Sequence, residues 1–384
     1  MRQLQVTESE LERFSIQPGD LLFARRSLVA EGAGKCSLVR EVQKPTVFES
    51  SIIRARPAPD RADSRYLFYL FQSPYGRYAL GTIRRQVAVA GITGADLAEL
   101  QIPLPPLRVQ REIANALESI DDKIDLNLQM TETLEASARA IFRSWFVDFD
   151  PVRAKVEGRQ ASGTSAETTA VFPGSLTDSP LGPIPDGWTV SPIGDAVRVV
   201  GGSTPSTSQP RFWNGSIPFA TPRDLAKLDS ATLLRTERYI TEAGAARISS
   251  GVLPAGTVLL SSRAPIGYLA LAEVPVAVNQ GFIAMICEGA LPNHYVIMWA
   301  RENLDVIKSN AGGTTFAEIS KKNFRPIPVL VPSPEVLERF RNLVSPIFHR
   351  IRAGLEESRS LTAIRDALLP KLVSGSTRIA TAEG

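Results

Sequence analysis

Histidine and cysteine are both scarce in this chain, with two of each: Cys36, Cys287, His294 and His349. A zinc site of the His/Cys type needs three or four such ligands at close spacing, so this sequence does not predict one. A Ser-His-Asp hydrolase would have to use one of the two histidines, and the sequence has no Gly-x-Ser-x-Gly elbow. We therefore interpret His294 as a core histidine and His349 as an ordinary helical one. The two cysteines give no disulfide framework and fit a reducing cytoplasm.

Long apolar runs and a large charge excess are also missing. No stretch of about 18 apolar residues occurs, so no transmembrane helix is expected. The first residues are polar and do not resemble a secretory signal. The net charge of +3 comes from 43 basic and 40 acidic residues. Any binding of nucleic acid must therefore come from local clusters of basic side chains.

Nucleotide-binding and methyl-transfer motifs are absent as well. The segment 31–36 (EGAGKC) approaches a phosphate loop, but Val29 stands where the first glycine belongs and Cys36 stands where Ser or Thr is needed. We expect this segment to connect strands, with Lys35 exposed. The segment 148–151 (DFDP) lacks the second proline and the aromatic residue of an amino-methyltransferase motif. We expect no catalytic residue, metal or cofactor on this chain.

The sequence does contain a long internal repeat. With a shift of 227 residues, about forty residues align without a gap around positions 109 and 336. The matches include Pro105 on Pro332, Asn115 on Asn342, Ile120 on Ile347, Ile124 on Ile351 and Leu128 on Leu355. Further upstream, 17–23 resembles 254–260 and 66–71 resembles 294–299. This period is too long for a solenoid, so we predict two copies of a globular unit followed by a long helix.

Apolar residues spaced by three or four positions predict the two helices, at 109–145 and 336–372. We expect them to pair as an antiparallel coiled coil that buries both stripes. The alternative is that each helix packs on its own globular unit. Pro346 predicts a kink or break near Ser345, and Pro370 is expected to end the regular helix.

The globular units are predicted to mix helices and strands, so the fold class is α/β mixed (α+β). Short apolar runs bounded by Gly and Pro indicate strands at 257–260, 267–272, 282–286 and 327–331, and 62–80 and 291–309 read as helices. The predicted boundaries are a first globular unit at 1–105, a helix at 106–150, a flexible linker at 151–185, a second globular unit at 186–333, a second helix at 334–376 and a tail at 377–384.

The two copies differ at their starts. Under the repeat, Met1 falls on Leu228, so the first copy lacks roughly 42 residues, those that match 186–227. We expect that this chain starts inside a longer reading frame. The alternative is a first unit that is natively reduced.

Several segments, in this order, resemble the specificity subunit of type I restriction–modification systems. They cover nearly the whole chain and include 102–107 (IPLPPL), 110–114 (QREIA), 120–124 (IDDKI), 144–146 (SWF), 172–188, 201–206 (GGSTPS), 212–224, 265–267 (PIG), 279–281 (NQG) and 368–375 (LLPKLVSG). The resemblance implies two target-recognition domains, each reading half of a split DNA site, and two helices that act as a spacer between them.

The resemblance also implies the partners. Two copies of a methyltransferase subunit would dock on the helices and use S-adenosylmethionine to methylate adenine, and a motor-nuclease subunit would supply ATP-driven cleavage. The chain itself would bind double-stranded DNA and carry no catalysis, no cofactor and no membrane contact, so we expect it in the cytoplasm. S-adenosylmethionine, ATP and Mg²⁺ would belong to the partners. The competing hypothesis is a non-catalytic scaffold or remnant with one working recognition domain.

Candidate site residues follow from side-chain chemistry and position. The DNA-binding candidates are Arg25, Arg26, Arg84, Arg85, Thr204, Ser206, Arg223, Arg263, Lys321 and Lys322. The partner-binding candidates are Asp121, Asp122 and Lys123. Each of these charged residues could instead be an ordinary solvated side chain. Asn279 and Gln280 could bond the backbone of their own turn instead of a base.

Overall fold

The computed structural model describes residues 5–86, 90–263, 265–313 and 317–378. It divides into two compact units. The first unit comprises Met1–Asn127 together with Glu356–Gly384, and the second comprises Leu128–Leu355. Each of the two long helices therefore contributes residues to both units.

The first unit is built from two small antiparallel sheets and several helices. Its elements are α1 (Glu8–Phe14), β1 (Leu21–Ala24), β2 (Arg26–Ser27), β3 (Cys36–Leu38), β4 (Ile52–Ala55), α2 (Ser64–Gln72), α3 (Pro74–Thr82), β5 (Arg85–Gln86), β6 (Ala90–Gly91), α4 (Gly94–Ala98) and the first part of α5 (Leu107–Phe146). The sheet orders are β3-β1-β4 and β2-β6-β5. Ser73 caps α3 by accepting a hydrogen bond from the Gly76 amide, and Pro74 occupies the first helical turn, where a missing N–H costs nothing.

The core of the first unit lies between the sheet β3-β1-β4 and the helices. Alternate residues Leu21 and Phe23 of β1 are buried, as a strand with one covered face requires. They belong to one cluster with residues of α2, α5 and the end of the last helix, namely Tyr66, Leu70, Ile113, Leu117, Leu369, Leu372 and Val373.

The second unit is larger and carries the main sheet. Its elements are the rest of α5, α6 (Asp150–Val156), α7 (Ala166–Ala170), β7 (Leu176–Thr177), β8 (Ile184–Pro185), β9 (Thr189–Pro192), α8 (Ile193–Ala196), β10 (Arg198–Val200), β11 (Trp213–Ala220), α9 (Pro222–Leu225), β12 (Thr232–Leu233), β13 (Arg238–Ile240), α10 (Glu242–Ala245), β14 (Val258–Ser261), β15 (Leu269–Ala272), β16 (Ala277–Val278), β17 (Phe282–Ile286), α11 (Asn293–Glu302), α12 (Leu304–Ser309), α13 (Lys321–Phe324), β18 (Pro328–Val331) and α14 (Pro334–Val373), the last of which continues into the first unit.

The described residues of the second unit form four sheets, in the orders β10-β17-β14-β15-β12, β13-β11-β16, β18-β9 and β7-β8. All five residues of β17 are buried, because β17 lies inside the five-stranded sheet with both faces covered. The mixed helix and strand architecture predicted from the sequence is confirmed. The predicted helix at 291–309 is present as α11 and α12, which meet at Asn303.

The last helix differs from the prediction. α14 is helical from Pro334 to Val373 without a break at Ser345 and continues past Pro370. The missing N–H of Pro346 removes one hydrogen bond, but Val344 and Phe348 on either side are buried in the core of the second unit. Their packing holds the backbone helical where local preference alone would interrupt it.

The two long helices contact each other in antiparallel order within each unit. In the first unit, Arg365 of α14 lies 2.8 Å from Asp121 of α5. In the second unit, the rings of Phe142 on α5 and Phe340 on α14 are 6.0 Å apart. Both helices also contribute to the core of the globular part in each unit. In each unit the two helices thus contact each other and also pack on the globular part, whereas coiled-coil geometry stays a prediction.

The segment 151–185 is not the flexible linker that its polar composition predicted. It contains α6 and α7, and Val152, Phe172 and Ile184 are buried in the core of the second unit. Phe172 packs edge-on against Trp145 with ring centroids 5.0 Å apart. These apolar residues outweigh the small polar residues between them. Among the described residues, no helix is long and apolar enough to cross a membrane.

Candidate nucleic-acid interface

The polar and basic candidate residues of the second unit lie at one edge of the five-stranded sheet, where several of its strands begin or end. β14 and β17 are antiparallel with Ser261 opposite Phe282, and β10 and β17 are antiparallel with Val200 opposite Ala284. The residues that follow β10, precede β17 and follow β14 therefore meet at the same edge. We call this group the polar edge, and it comprises 201–206, Arg223, Arg263, 279–281, Lys321 and Lys322.

The loop 201–206 is held against the turn at 279–281. A Cβ atom at Gly202 would overlap the carbonyl oxygen of Val278, so only glycine allows this approach. The Thr204 hydroxyl donates a 2.7 Å hydrogen bond to Oε1 of Gln280. The indole Nε1 of Trp213 donates to the carbonyl oxygen of Ser206 at 3.1 Å. The loop is therefore fixed on both sides.

The turn at 279–281 is held by the side chain of Asn279 and by Ser262, the residue that follows β14. The Asn279 side-chain oxygen accepts a 2.9 Å hydrogen bond from the Gly281 amide. The Gly281 carbonyl accepts a 2.8 Å bond from the Ser262 amide. A Cβ at Gly281 would lie 2.8 Å from Cγ of Pro222, which places Arg223 beside this turn.

Basic side chains surround the turn and the loop. Lys321 and Lys322 are exposed on α13, and Nζ of Lys321 is 3.3 Å from the position of a Cβ at Gly201. Arg263 is partly buried and lies 3.7 Å from the Glu318 carboxylate. Arg223 is exposed. The structure thus brings together Thr204, Ser206, Arg223, Arg263, Lys321 and Lys322, which the sequence analysis had selected from distant segments.

Three further arginines next to this edge were missed from the sequence. The guanidinium carbon of Arg238 lies 3.6 Å from the centroid of the Trp213 ring, and those of Arg211 and Arg247 lie 5.1 and 5.8 Å from the Phe212 ring. All three arginines are exposed. Ser203 donates to the Arg247 carbonyl oxygen at 3.5 Å, which joins this cluster to the polar edge. The aromatic pair at 212–213 was the available signal; Arg211 precedes it directly in the sequence, whereas Arg238 and Arg247 come from other elements.

In the first unit, a small sheet brings two of the four candidate arginines together. Arg26 and Arg85 both pair with Gly91, from β2 and β5 on either side of β6. Arg26 is exposed, whereas Arg85 is bound to Asp96 at 2.7 Å. Arg25 donates to the Ser50 carbonyl at 3.4 Å, and Nε of Arg84 is buried without a hydrogen-bond partner among the described residues.

The three candidates on α5 have different surroundings within the first unit. The Asp121 carboxylate accepts hydrogen bonds from the Tyr69 hydroxyl at 2.7 Å and from Arg365 at 2.8 Å, and its side chain is 16% exposed. Asp122 is 60% exposed and pairs with Arg40. Lys123 lies 3.6 Å from Glu357. Asp121 is thus occupied internally, and Asp122 presents its charge to the surroundings.

The remaining reactive side chains lie in structural positions. The pKa of the Cys36 thiol is raised to about 12 by burial, which makes it a poor nucleophile, and Lys35 beside it is exposed as predicted. His294 is buried and stacked on Phe348 with ring centroids 4.4 Å apart. Among the described residues, no group of three or more His, Cys, Asp or Glu side chains could hold a metal ion.

Comparison with known proteins identifies related sequences over most of the chain. The sequence model of the family described as the type I restriction modification DNA specificity domain matches residues 6–136 and 185–342. The HindI specificity subunit of Haemophilus influenzae is 26% identical over 404 residues, which cover 94% of this chain and 87% of that protein. The MjaIX specificity subunit of Methanocaldococcus jannaschii is 37% identical over 170 residues, which cover 44% of this chain and 39% of that protein.

A solved structure shares the fold. The crystal structure of a type I restriction–modification S subunit from M. genitalium superposes with a TM-score of 0.55 at 16% identity, covering 94% of this chain and 84% of that one. At this identity the likeness concerns the fold alone.

Proposed function

Because this chain belongs to the type I restriction–modification DNA specificity family, we propose that the polar edge of its second unit reads one half of a split DNA target. A specificity subunit is the non-catalytic, DNA-recognising component of such a system. The chain would therefore act by binding and orienting DNA, and the chemistry would lie on its partners.

The observation that carries this proposal is the convergence at the polar edge. The candidate residues are spread between positions 204 and 322 of the sequence, but they lie at one end of a single sheet. Their chemistry suits duplex DNA, because exposed lysines and arginines contact phosphates and fix the register, whereas hydroxyl and amide groups can bond base edges. We assign Lys321, Lys322 and Arg223 to phosphates, and Thr204, Ser206 and Arg263 to the groove.

For the first unit we propose the same role. Arg26 and Arg85 flank Gly91 in one small sheet, so two basic residues lie about 10 Å apart across three strands. Arg25 and Arg84 adjoin them in sequence. We propose that this group contacts the other half of the target.

The internal repeat supports the binding of two copies of the same partner, because two similar units present two similar surfaces. We propose that two methyltransferase subunits dock along α5 and α14, with Asp122 and Lys123 among the contacts and Asp121 supporting the helix pair. S-adenosylmethionine, ATP and Mg²⁺ would be bound by the methyltransferase and motor-nuclease subunits. A complex that acts on genomic DNA works where that DNA lies, so we propose a cytoplasmic location.

The test is a methylation map. This chain is co-expressed with its methyltransferase subunit in a host that lacks adenine methylation, and methyl-adenine is located by single-molecule sequencing. A split motif with a fixed gap supports recognition by both units. One short or symmetric motif means that the second unit alone reads sequence. A stable complex without methylation contradicts the proposal and favours a scaffold.

A further inference from the structure

Gln280 is the exposed side chain at the tip of the turn that the polar edge is built around. Its neighbour Asn279 bonds the Gly281 amide and stabilises the turn. The Gly281 carbonyl is bonded to Ser262 of the adjacent strand connection. The backbone that carries Gln280 is therefore fixed at both sides, and the position of its side chain relative to the sheet is fixed with it.

The carboxamide of Gln280 is oriented by a single neighbour. The Thr204 hydroxyl donates to Oε1 at 2.7 Å, and within the described residues no other group hydrogen-bonds to this amide. Thr204 is itself held, because Gly202 packs directly on the Val278 carbonyl. One lone pair of Oε1 is used, so a second lone pair and the two N–H groups of Nε2 are available to a ligand.

We infer that Gln280 reads an adenine in the half-site bound by the second unit, with Thr204 as the residue that positions it; this inference rests on the proposed function. A carboxamide offers a donor and an acceptor side by side. In the major groove, adenine offers the complementary pair, the N7 acceptor and the N6 donor, whereas guanine offers two acceptors. Nε2 donates to N7, and Oε1 accepts from the N6 amino group.

The surroundings of Gln280 suit this role. Lys321 approaches Gly201 in the loop that carries Thr204, and Arg263 directly follows Ser262, which bonds the Gly281 carbonyl. Lys321 can hold a phosphate on one side and Arg263 can enter the groove on the other while the amide reaches a base. The bond from Thr204 restricts the rotamers of Gln280 before DNA binds, which lowers the entropy lost on binding.

The experiment uses the assembled complex with the methyltransferase subunit and duplexes that carry the motif found by methylation mapping. Each adenine of the second unit's half-site is replaced in turn by 7-deazaadenine, which lacks the N7 acceptor. For the wild-type chain, one replacement weakens binding about five- to a hundred-fold. With Gln280→Ala, binding to the unmodified motif falls by a similar factor, and that replacement has no further effect. Gln160→Ala removes an exposed glutamine outside the polar edge and serves as the matched control.

Variants of Thr204 test its positioning role. Thr204→Ser keeps the hydroxyl donor and retains the adenine preference. Thr204→Val removes the donor, so the 7-deazaadenine effect becomes smaller although Gln280 is still present.

Two outcomes overturn the inference. One is a Gln280→Ala complex that stays as sensitive as wild type to the same adenine replacement. The other is a variant that loses affinity equally for motif and unrelated DNA, as expected for a phosphate contact. If the wild-type complex itself shows no sequence preference, the proposed function fails first, and the two failures are thereby distinguished.

Discussion

The hydroxyl of Tyr295 donates a 2.8 Å hydrogen bond to the backbone carbonyl of Leu330 in the second unit. The first unit contains the same relationship, because the Tyr66 hydroxyl donates to the Pro103 carbonyl at 3.2 Å. Pro103 and Leu330 are 227 positions apart, which is the shift of the repeat. In each unit, a buried tyrosine thus forms a hydrogen bond to the segment that precedes a long helix. The sequence alignment had placed Tyr66 on His294, one residue away from its structural counterpart.

Tyr295→Phe should destabilise the second unit. The ring fits unchanged, but the Leu330 carbonyl loses its hydroxyl partner in a buried position, which costs about 1–3 kcal/mol. We expect the thermal unfolding midpoint to fall by several degrees, with a smaller fall for Tyr66→Phe, whose bond is longer. Tyr78→Phe is the control, because Tyr78 is 74% exposed. An unchanged midpoint for Tyr295→Phe would show that this bond contributes nothing.

Neighbouring aspartates on α5 should respond very differently to substitution. Asp121→Asn weakens charge-assisted bonds from Tyr69 and Arg365, so we expect a loss of about 1.5–3 kcal/mol in the stability of the first unit. Asp122→Asn removes only an exposed pair with Arg40, and we expect a change within about 0.5 kcal/mol. Urea unfolding of both variants measures the difference. Equal effects would argue against a structural role for Asp121.

The stability of the second unit should depend on pH through His294. Burial lowers the pKa of His294 to about 4, with a smaller contribution from the charge of His349. A lowered histidine pKa means that the folded state favours the neutral ring. The contribution of neutral His294 to stability is therefore fully present above the unfolded pKa of about 6.5, and it is lost as the pH falls from there towards 4. The loss reaches at most about 3 kcal/mol.

His294→Phe isolates this effect from the titration of carboxylates. The substitution keeps an aromatic ring against Phe348 and removes the titrating group. The difference in unfolding free energy between wild type and variant should change between pH 6.5 and 4. His349→Gln removes only the smaller of the two causes, so it should change the pH dependence much less than His294→Phe does. A difference that stays constant with pH would contradict this account.

The sequence predicted the elements that show a local periodicity of apolar residues, but it did not predict the features that depend on tertiary packing. The spacing of apolar residues defined both long helices to within a few residues, because periodicity depends only on the helix itself. Pro346 inside a continuous helix could not be predicted, since burial of Val344 and Phe348 overrides the local preference. The segment 151–185 is folded for a similar reason, because it makes tertiary contacts such as that between Phe172 and Trp145, which the sequence does not reveal.

For the polar edge, the sequence predicted the residue types but not their partners. Thr204 and Gln280 are 76 residues apart, and their bond exists only because three strands end at one edge. The sequence also left open whether Asn279 and Gln280 bond their own turn or a base, and the structure shows that Asn279 bonds the Gly281 amide whereas Gln280 is exposed. Arginines that stack on Trp213 and Phe212 from other elements could not be recognised from spacing.

Gly202→Ala should abolish specific DNA binding by the second unit while leaving the first unit folded. The added Cβ would overlap the Val278 carbonyl, which is backbone and cannot rotate away, so the loop that carries Thr204 and Ser206 must move. Binding of the assembled complex to its motif measures the effect. Gly174→Ala, where a Cβ meets no atom within 4 Å, is the control. Full affinity in the Gly202 variant would contradict a role for this loop.

Lys321→Ala should weaken binding to all DNA sequences alike and reduce its dependence on salt. We propose that this exposed lysine contributes one phosphate contact, so its removal should lower the magnitude of the slope of log K against log salt by about one. The measurement is a titration of the assembled complex with motif and unrelated duplexes over a range of salt concentrations. Arg198→Ala is the control, because Arg198 pairs with Glu288 at the opposite edge of the same sheet. A Lys321 variant that changes base preference but not the salt slope would move this residue from the phosphates to the groove.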